Sequence, residues 1–207
     1  MSAYSRFCGH AALWVFVASS VIFGAMPGAE AIGFSHLTHP LAFLGAVGMP
    51  LASLFNFAGF ILAGALAAAA LWPLRDALPA PLPWAARIGA QLVLLSAVAF
   101  AAQGLLPIDP NDLDGLRSGL HGSAWMLWWL AFTAGSASIA WGLRKRREPA
   151  WCLNAMLAAQ LVPVCALWAD LGMPVAVAQR LSFLLWFAWV AWVSGQYRAT
   201  RTKNTMP

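Results

Sequence analysis

The stretch from Leu51 to Trp72 contains no charged residue, and several other stretches of similar length are almost as apolar. Runs of this kind constrain a chain more than any other feature here. A backbone in hydrocarbon must satisfy its own N–H and C=O groups, which leaves helices or a closed barrel. The runs are continuous and do not alternate, so helices are expected. Composition agrees: 61% of the 207 residues are hydrophobic and 9% are charged, too few to cover a water-facing surface. No polar block divides the chain, so a single all-α membrane domain over residues 1–207 is predicted.

Six spans are expected, at about 11–26, 51–72, 88–106, 124–143, 150–171 and 175–193, with a kink at Pro163 in the fifth. The first run is short and precedes Ala29-Glu30-Ala31, so a cleaved signal peptide competes with a retained span. Residues 27–50 are too apolar for a free loop and too broken for a span. They read as an interfacial or re-entrant segment, with a short helix opened by Pro40, running through Val47 and ended by Gly48. Small residues on the second span (Gly59 with Ala63, Gly64 with Ala68) suit close helix contact. No repeat at a fixed period is visible.

Basic residues set the orientation. With the N-terminus inside, Arg6, Arg75, Arg87, the 144–147 cluster, Arg198, Arg201 and Lys203 fall in the cytoplasm, and only Arg117 and Arg180 fall outside. That bias explains the net charge of +5 without nucleic acid, which is not expected as a partner. The expected setting is a bacterial inner membrane, multi-pass, with both termini cytoplasmic. Trp14, Trp72, Trp84, Trp141, Trp151 and Trp168 sit near predicted boundaries, as an aromatic belt requires. Cys8, Cys152 and Cys165 show neither metal spacing nor a disulfide framework.

The same topology collects chemistry on the outer side: His36, His39, His121, Ser35, Asn56, Asp109, Asp112, Asp114, Arg117, Asp170, Gln179 and Arg180. His121 with Asp109 has the composition of a general base and its orienting carboxylate. The plain reading makes Asp109 or Asp112 and Ser118 helix caps, with His121 at the interface. An early start to the fourth span would put Asp114, Arg117 and His121 on one face, although Gly115 and Gly119 oppose it. His36 and His39, three apart, could join His121 in a metal shell, but no strong metal signature accompanies them. Arg180 reads either as a residue snorkelling to headgroups or as a fork for phosphate or carboxylate. Asn56 reads as a bond to a neighbouring helix or a cavity lining, and Trp125, Trp128 and Trp129 as packing.

Four blocks, SHLTHPLAFLGAVGMPLASLFNFAGFILAG, GLLPIDP, GLHGSAWMLWWLAF and AQRLSFLLWFAW, occur in this order between about Val21 and Trp192. In them the chain resembles the domain-of-unknown-function 998 family of bacterial polytopic membrane proteins. The resemblance singles out Ser35, Leu44, Gly45, Asn56, Gly59, Pro107, Asp109, Pro110, His121, Gly122, Gln179 and Arg180, and does not extend to His39, Asp112 or Asp114. It implies a membrane bundle and leaves activity and cofactors open. The expected function is an outward polar pocket for a lipid or small amphipathic or anionic ligand. Two alternatives stand beside it: an outer-leaflet enzyme using His121 and Asp109, and a structural or partner-stabilising subunit. The oligomeric state is open.

Overall fold

The computed structural model describes residues 2–31, 33–146, 148–167 and 172–203. Among these residues every regular element is a helix. The first is α1 (Ser2–Gly24), followed by the short α2 (Pro27–Ala31) and a single 3-10 turn at Leu41–Gly45. Next, α3 (Ala52–Phe55) runs through a π-helical stretch at Asn56–Leu62 into α4 (Ala63–Leu71), with α5 (Leu74–Ala77) after it. Four long helices complete the chain: α6 (Trp84–Gln103), α7 (Leu116–Leu143), α8 (Pro149–Leu167) and α9 (Val175–Lys203). Six helical stretches are long and apolar enough to cross a membrane, with α3 to α5 counting as one.

Local chemistry sets the helix limits. Pro83, extended at φ −62° and ψ 151°, precedes α6 and starts it about a turn before the predicted Ile88. The fourth crossing begins at Leu116 instead of Ala124, despite Gly119. A tertiary contact at its first turn, described below, outweighs the glycine penalty. Asp114 stays outside that helix and exposed, so the predicted Asp114–Arg117–His121 face is not formed. Pro163 lies inside α8; the rest of the predicted fifth span, 168–171, with Trp168 and Asp170, is outside the described residues.

Between α1 and α3 the predicted Pro40–Val47 helix is reduced to the 3-10 turn, because Ala46 is already extended at ψ 157°. Gly48 follows with φ 83°. Leu41, Leu44 and Ala46 are fully or nearly fully buried, so this segment is a packed cap on one end of the bundle.

The six crossings form a closed ring in chain order: α1 against α4, α4 against α6, α6 against α7, α7 against α8, α8 against α9, and α9 back against α1. Aromatic side chains fill the middle. Phe16 stacks on Phe187 at 4.8 Å, Phe100 lies 5.1 Å from Trp186, and Phe183 lies 4.8 Å from Trp128. These rings have close to zero exposure, and α1 supplies one of them, so the first crossing is built into the core.

Lipid tails are as apolar as the side chains, so close fit rather than water exclusion holds such helices together. The tightest crossing is α6 on α7. A Cβ on Gly89 would lie 2.5 Å from the Gly135 carbonyl oxygen, and one on Gly135 would lie 2.8 Å from that of Gly89. Of the small residues predicted for close contact, Gly64 meets α6, where a Cβ would lie 2.7 Å from the Ala101 backbone nitrogen, whereas the nearest atoms to a Cβ on Gly59 belong to the Phe55 ring. The tryptophan belt holds in part: Trp14, Trp72, Trp84 and Trp141 are exposed, but Trp151 is buried edge-on to Trp192.

Candidate functional site

The ring has two chemically different ends. One carries Arg75, Arg87, Arg144, Lys145 and Arg146, where Arg146 Nη2 donates to the Pro81 carbonyl at 2.8 Å. The other carries the 27–50 cap and the α6–α7 loop, joined by the Val47 N–H donating to the Ile108 carbonyl at 2.9 Å. The predicted site residues of the described chain lie at this second end.

They form two groups. In the first, His121 is buried, 8% exposed, at the second turn of α7. Its Nδ1 donates to the Leu106 carbonyl at 2.7 Å, beside the Gln103 carbonyl. Leu106 lies in the turn just past the end of α6, where its own N–H donates back to the Gln103 carbonyl at 3.3 Å. His121 therefore ties α6 to α7, with its proton on Nδ1 and its ring edge against Phe60 at 6.1 Å. Asp109 is not its partner. The Asp109 carboxylate accepts the Asn111 N–H at 3.0 Å, a local turn, and its own N–H donates to Ser118 Oγ at 3.0 Å. Ser118 in turn donates to the Asp112 carbonyl at 2.9 Å. It is no N-cap, since Gly115 holds that position; it anchors the loop from inside the first turn. That contact lets α7 start early. Asp112, Asp114 and Arg117 are exposed.

The π-helical stretch aims two of its residues at this end. Phe60 reaches His121, and Asn56, 8% exposed, turns back to the cap, its Nδ2 donating to the Gly45 carbonyl at 2.8 Å. Of the two sequence readings of Asn56, the bond goes to the cap and not to a neighbouring helix, and Asn56 also lines an open cavity beside the cap with Val47, Ser53 and Pro107. A wide i to i+5 turn is a common way to re-aim side chains in this manner, and nothing in the sequence signals it.

The second group surrounds Arg180 on the first turns of α9. Its Nη1 donates to the His39 carbonyl at 3.0 Å and to the Ala176 carbonyl at 2.8 Å. The neighbouring Gln179 accepts the Leu41 N–H at 3.3 Å, so α9 holds the cap at two points. The Arg180 guanidinium carbon lies 6.0 Å from the Phe34 ring centre. Its Nε and Nη2 are shut off from solvent and donate to no acceptor among the described residues. Those two N–H groups form the side-on edge that matches two oxygens of a phosphate or carboxylate.

Ser35 and His39 close the turn beside it. The Ser35 N–H donates to His39 Nδ1 at 3.1 Å, and the His39 N–H donates to the Ser35 carbonyl at 2.9 Å. With Nδ1 accepting, the proton of neutral His39 sits on Nε2. Ser35 Oγ accepts the Leu37 N–H at 3.2 Å. The His36 ring packs on Gly24, where a Cβ would lie within 2.2 Å of Nε2, and edge-on to Phe34 at 5.1 Å. Among the described residues no three His, Cys, Asp or Glu side chains gather as a metal shell, so His36, His39 and His121 do not form the trio considered from sequence.

His36 titrates below the usual histidine range, first because it is partly buried and then because of the Arg180 charge. A neutral folded form is thus preferred, and the unfolded chain binds the extra proton. The cap should lose stability as pH falls through the free histidine value near 6.5, levelling off below the folded value. Amide exchange of residues 33–45 should accelerate across that interval, and His36→Gln should flatten the dependence.

Behind this group lies a cavity of about 180 Å³ lined by Phe23, Met26, Pro27, Gly28, Ala29, Leu44, Met49, Pro50 and Leu51. Leu51 on its rim has φ 58°, a left-handed conformation that a side chain other than glycine adopts at a cost of about 1–2 kcal/mol. No family model, curated protein or solved structure matches the chain, so its site is argued from its own geometry.

Proposed function

We propose that this chain is a multi-pass protein of the bacterial inner membrane whose histidine-bearing end faces outward and binds an anionic, lipid-like ligand at Arg180. We also place it in the domain-of-unknown-function 998 family, on the four sequence blocks given above. The observation that carries the functional reading is the side-on edge of the Arg180 guanidinium. One nitrogen holds the cap, and the remaining two N–H groups are sheltered without an acceptor among the described residues. A buried donor of this kind costs stability unless something accepts from it. The aromatic plug beneath it, with Phe183 one turn along α9, supports entry from the capped end and not through the ring.

Binding is favoured over catalysis because the two residues best suited to acid–base chemistry are used elsewhere. His121 ties the turn after α6 to α7, and Asp109 closes a turn. Orientation rests on the arginine-rich opposite end, which the positive-inside bias assigns to the cytoplasm. A cysteine introduced at the exposed Leu113 should react with a membrane-impermeant maleimide in intact cells, and one at Lys145 only after permeabilisation.

Arg180 itself is tested by titrating dodecyl phosphate into the protein in phosphatidylcholine nanodiscs. Arg180→Gln should weaken binding by about tenfold to a hundredfold, the worth of a charge-assisted hydrogen-bonded pair. Arg180→Lys should fall between, keeping charge but losing the fork. Equal affinity in all three, with folding intact by thermal melting, would sink the reading.

A further inference from the structure

The cavity behind the cap adds to the Arg180 reading, and the inference here rests on that reading. We infer that the ligand is an oxyanion carried on an alkyl chain, whose chain end enters the cavity between Phe23, Met26, Leu44 and Met49. A free, fully soluble anion is the alternative that the geometry disfavours.

Phe34 links the two features. Its N–H donates to the Ala29 carbonyl at 3.0 Å, and Ala29 lines the cavity. On the other side its ring faces Arg180 at 6.0 Å and His36 at 5.1 Å. The end of α1 repeats the arrangement: Phe23 lines the cavity, and the next residue, Gly24, supports the His36 ring. The residues against the cationic edge and those lining the apolar hole are thus linked through short lengths of chain, Phe34 to Ala29 and Gly24 to Phe23.

Cavity size bears on how much of the ligand enters. A hole of about 150 Å³ with apolar walls takes a benzene; this one, about 180 Å³, accepts a few carbons and not a whole lipid tail. Two of its walls are methionines, whose unbranched side chains adapt to an irregular guest. Charge and shape together select an amphiphile with one negatively charged end, either phosphate or carboxylate. The Arg180 fork accepts both oxyanions, and the hole discriminates only by the chain.

The test compares four probes on the full chain in phosphatidylcholine nanodiscs: dodecyl phosphate, dodecanoate, inorganic phosphate and dodecyl trimethylammonium. Dodecyl phosphate or dodecanoate should bind at least about tenfold more tightly than inorganic phosphate, as burial of even two methylenes requires. The trimethylammonium amphiphile should bind no better than inorganic phosphate. Met49→Trp, which fills the cavity, should remove the advantage of the chain and leave inorganic phosphate binding unchanged. Ala29→Leu supplies a second filling variant should Met49→Trp fold poorly, and Met49→Leu should behave as the parent. If inorganic phosphate binds as tightly as the alkyl anions, and neither filling variant changes anything, the chain site is wrong while the Arg180 reading stands. If the cationic amphiphile binds as well as the anions, the chain alone drives association and the combined site is overturned. If no anion binds, both readings fail together.

Discussion

Gly135→Val should abolish the folded bundle or sharply lower its melting temperature in detergent. Even the first added carbon would sit 2.8 Å from the Gly89 carbonyl oxygen and 2.9 Å from the Val93 nitrogen. Both obstacles are backbone, so no rotamer change relieves them and the helices must separate. Overpacking of this kind costs about 1–3 kcal/mol in a core that can adjust, and a value at or above the top of that range is expected where it cannot. Gly89→Val should do the same, because the contact is reciprocal. Gly119→Ala and Gly122→Ala on the same helix meet open space and should be neutral or slightly stabilising. Comparable losses at Gly119 and Gly135 would contradict the assigned crossing.

Gly45→Ala should be nearly as damaging, with a different remedy. Its Cβ would overlap the Asn56 amide, within 1.9 Å of Oδ1, and displace the bond from Asn56 Nδ2 to the Gly45 carbonyl. The clash and the orphaned buried amide together should cost roughly 3–5 kcal/mol. Here the obstacle is a side chain, so Asn56→Ala should partly rescue Gly45→Ala. The double variant should be more stable than the sum of the two single losses, a coupling of about 1–3 kcal/mol in the cycle. The cap should be the part that loosens first, read as faster amide exchange at Leu41 and Val47. Additive losses would show that Asn56 does not clamp the cap.

These glycines show how much of the fold the sequence carried. Uninterrupted apolar length is a one-dimensional property, so the six crossings and their order could be read directly. Which residues touch across two helices is not one-dimensional. Gly89 and Gly135 have nothing in their own neighbourhoods to mark them as the pair that meets backbone to backbone. The start of α7 was misplaced for the same reason, since Ser118 earns its place through Asp109 and Asp112, not through its helix neighbours.

The candidate site follows the same pattern. Topology gathered His36, His39, His121 and Arg180 at one end, because side is set by span count and loop charge. The pairing of Asp109 with His121 rested on their residue types and their nearness along the chain. It gave way to the Leu106 carbonyl in the turn after α6, which meets His121 only once α6 and α7 are packed together. Arg180 was weighed as a snorkelling residue or a fork; its sheltered edge could not be foreseen, since it depends on which nitrogens the cap carbonyls occupy.

The proposed ligand-binding edge is the Arg180 Nε–H and Nη2–H pair. Nitrogen-15 NMR of the guanidinium in nanodiscs, with Arg180→Lys used to assign its signal, tests it most directly. Saturating dodecyl phosphate should move the Arg180 Nε–H proton downfield and slow its exchange with water, while the signal of the exposed Arg117 stays in place. An Arg180 signal unchanged at saturation, with the ligand demonstrably bound, would contradict the account.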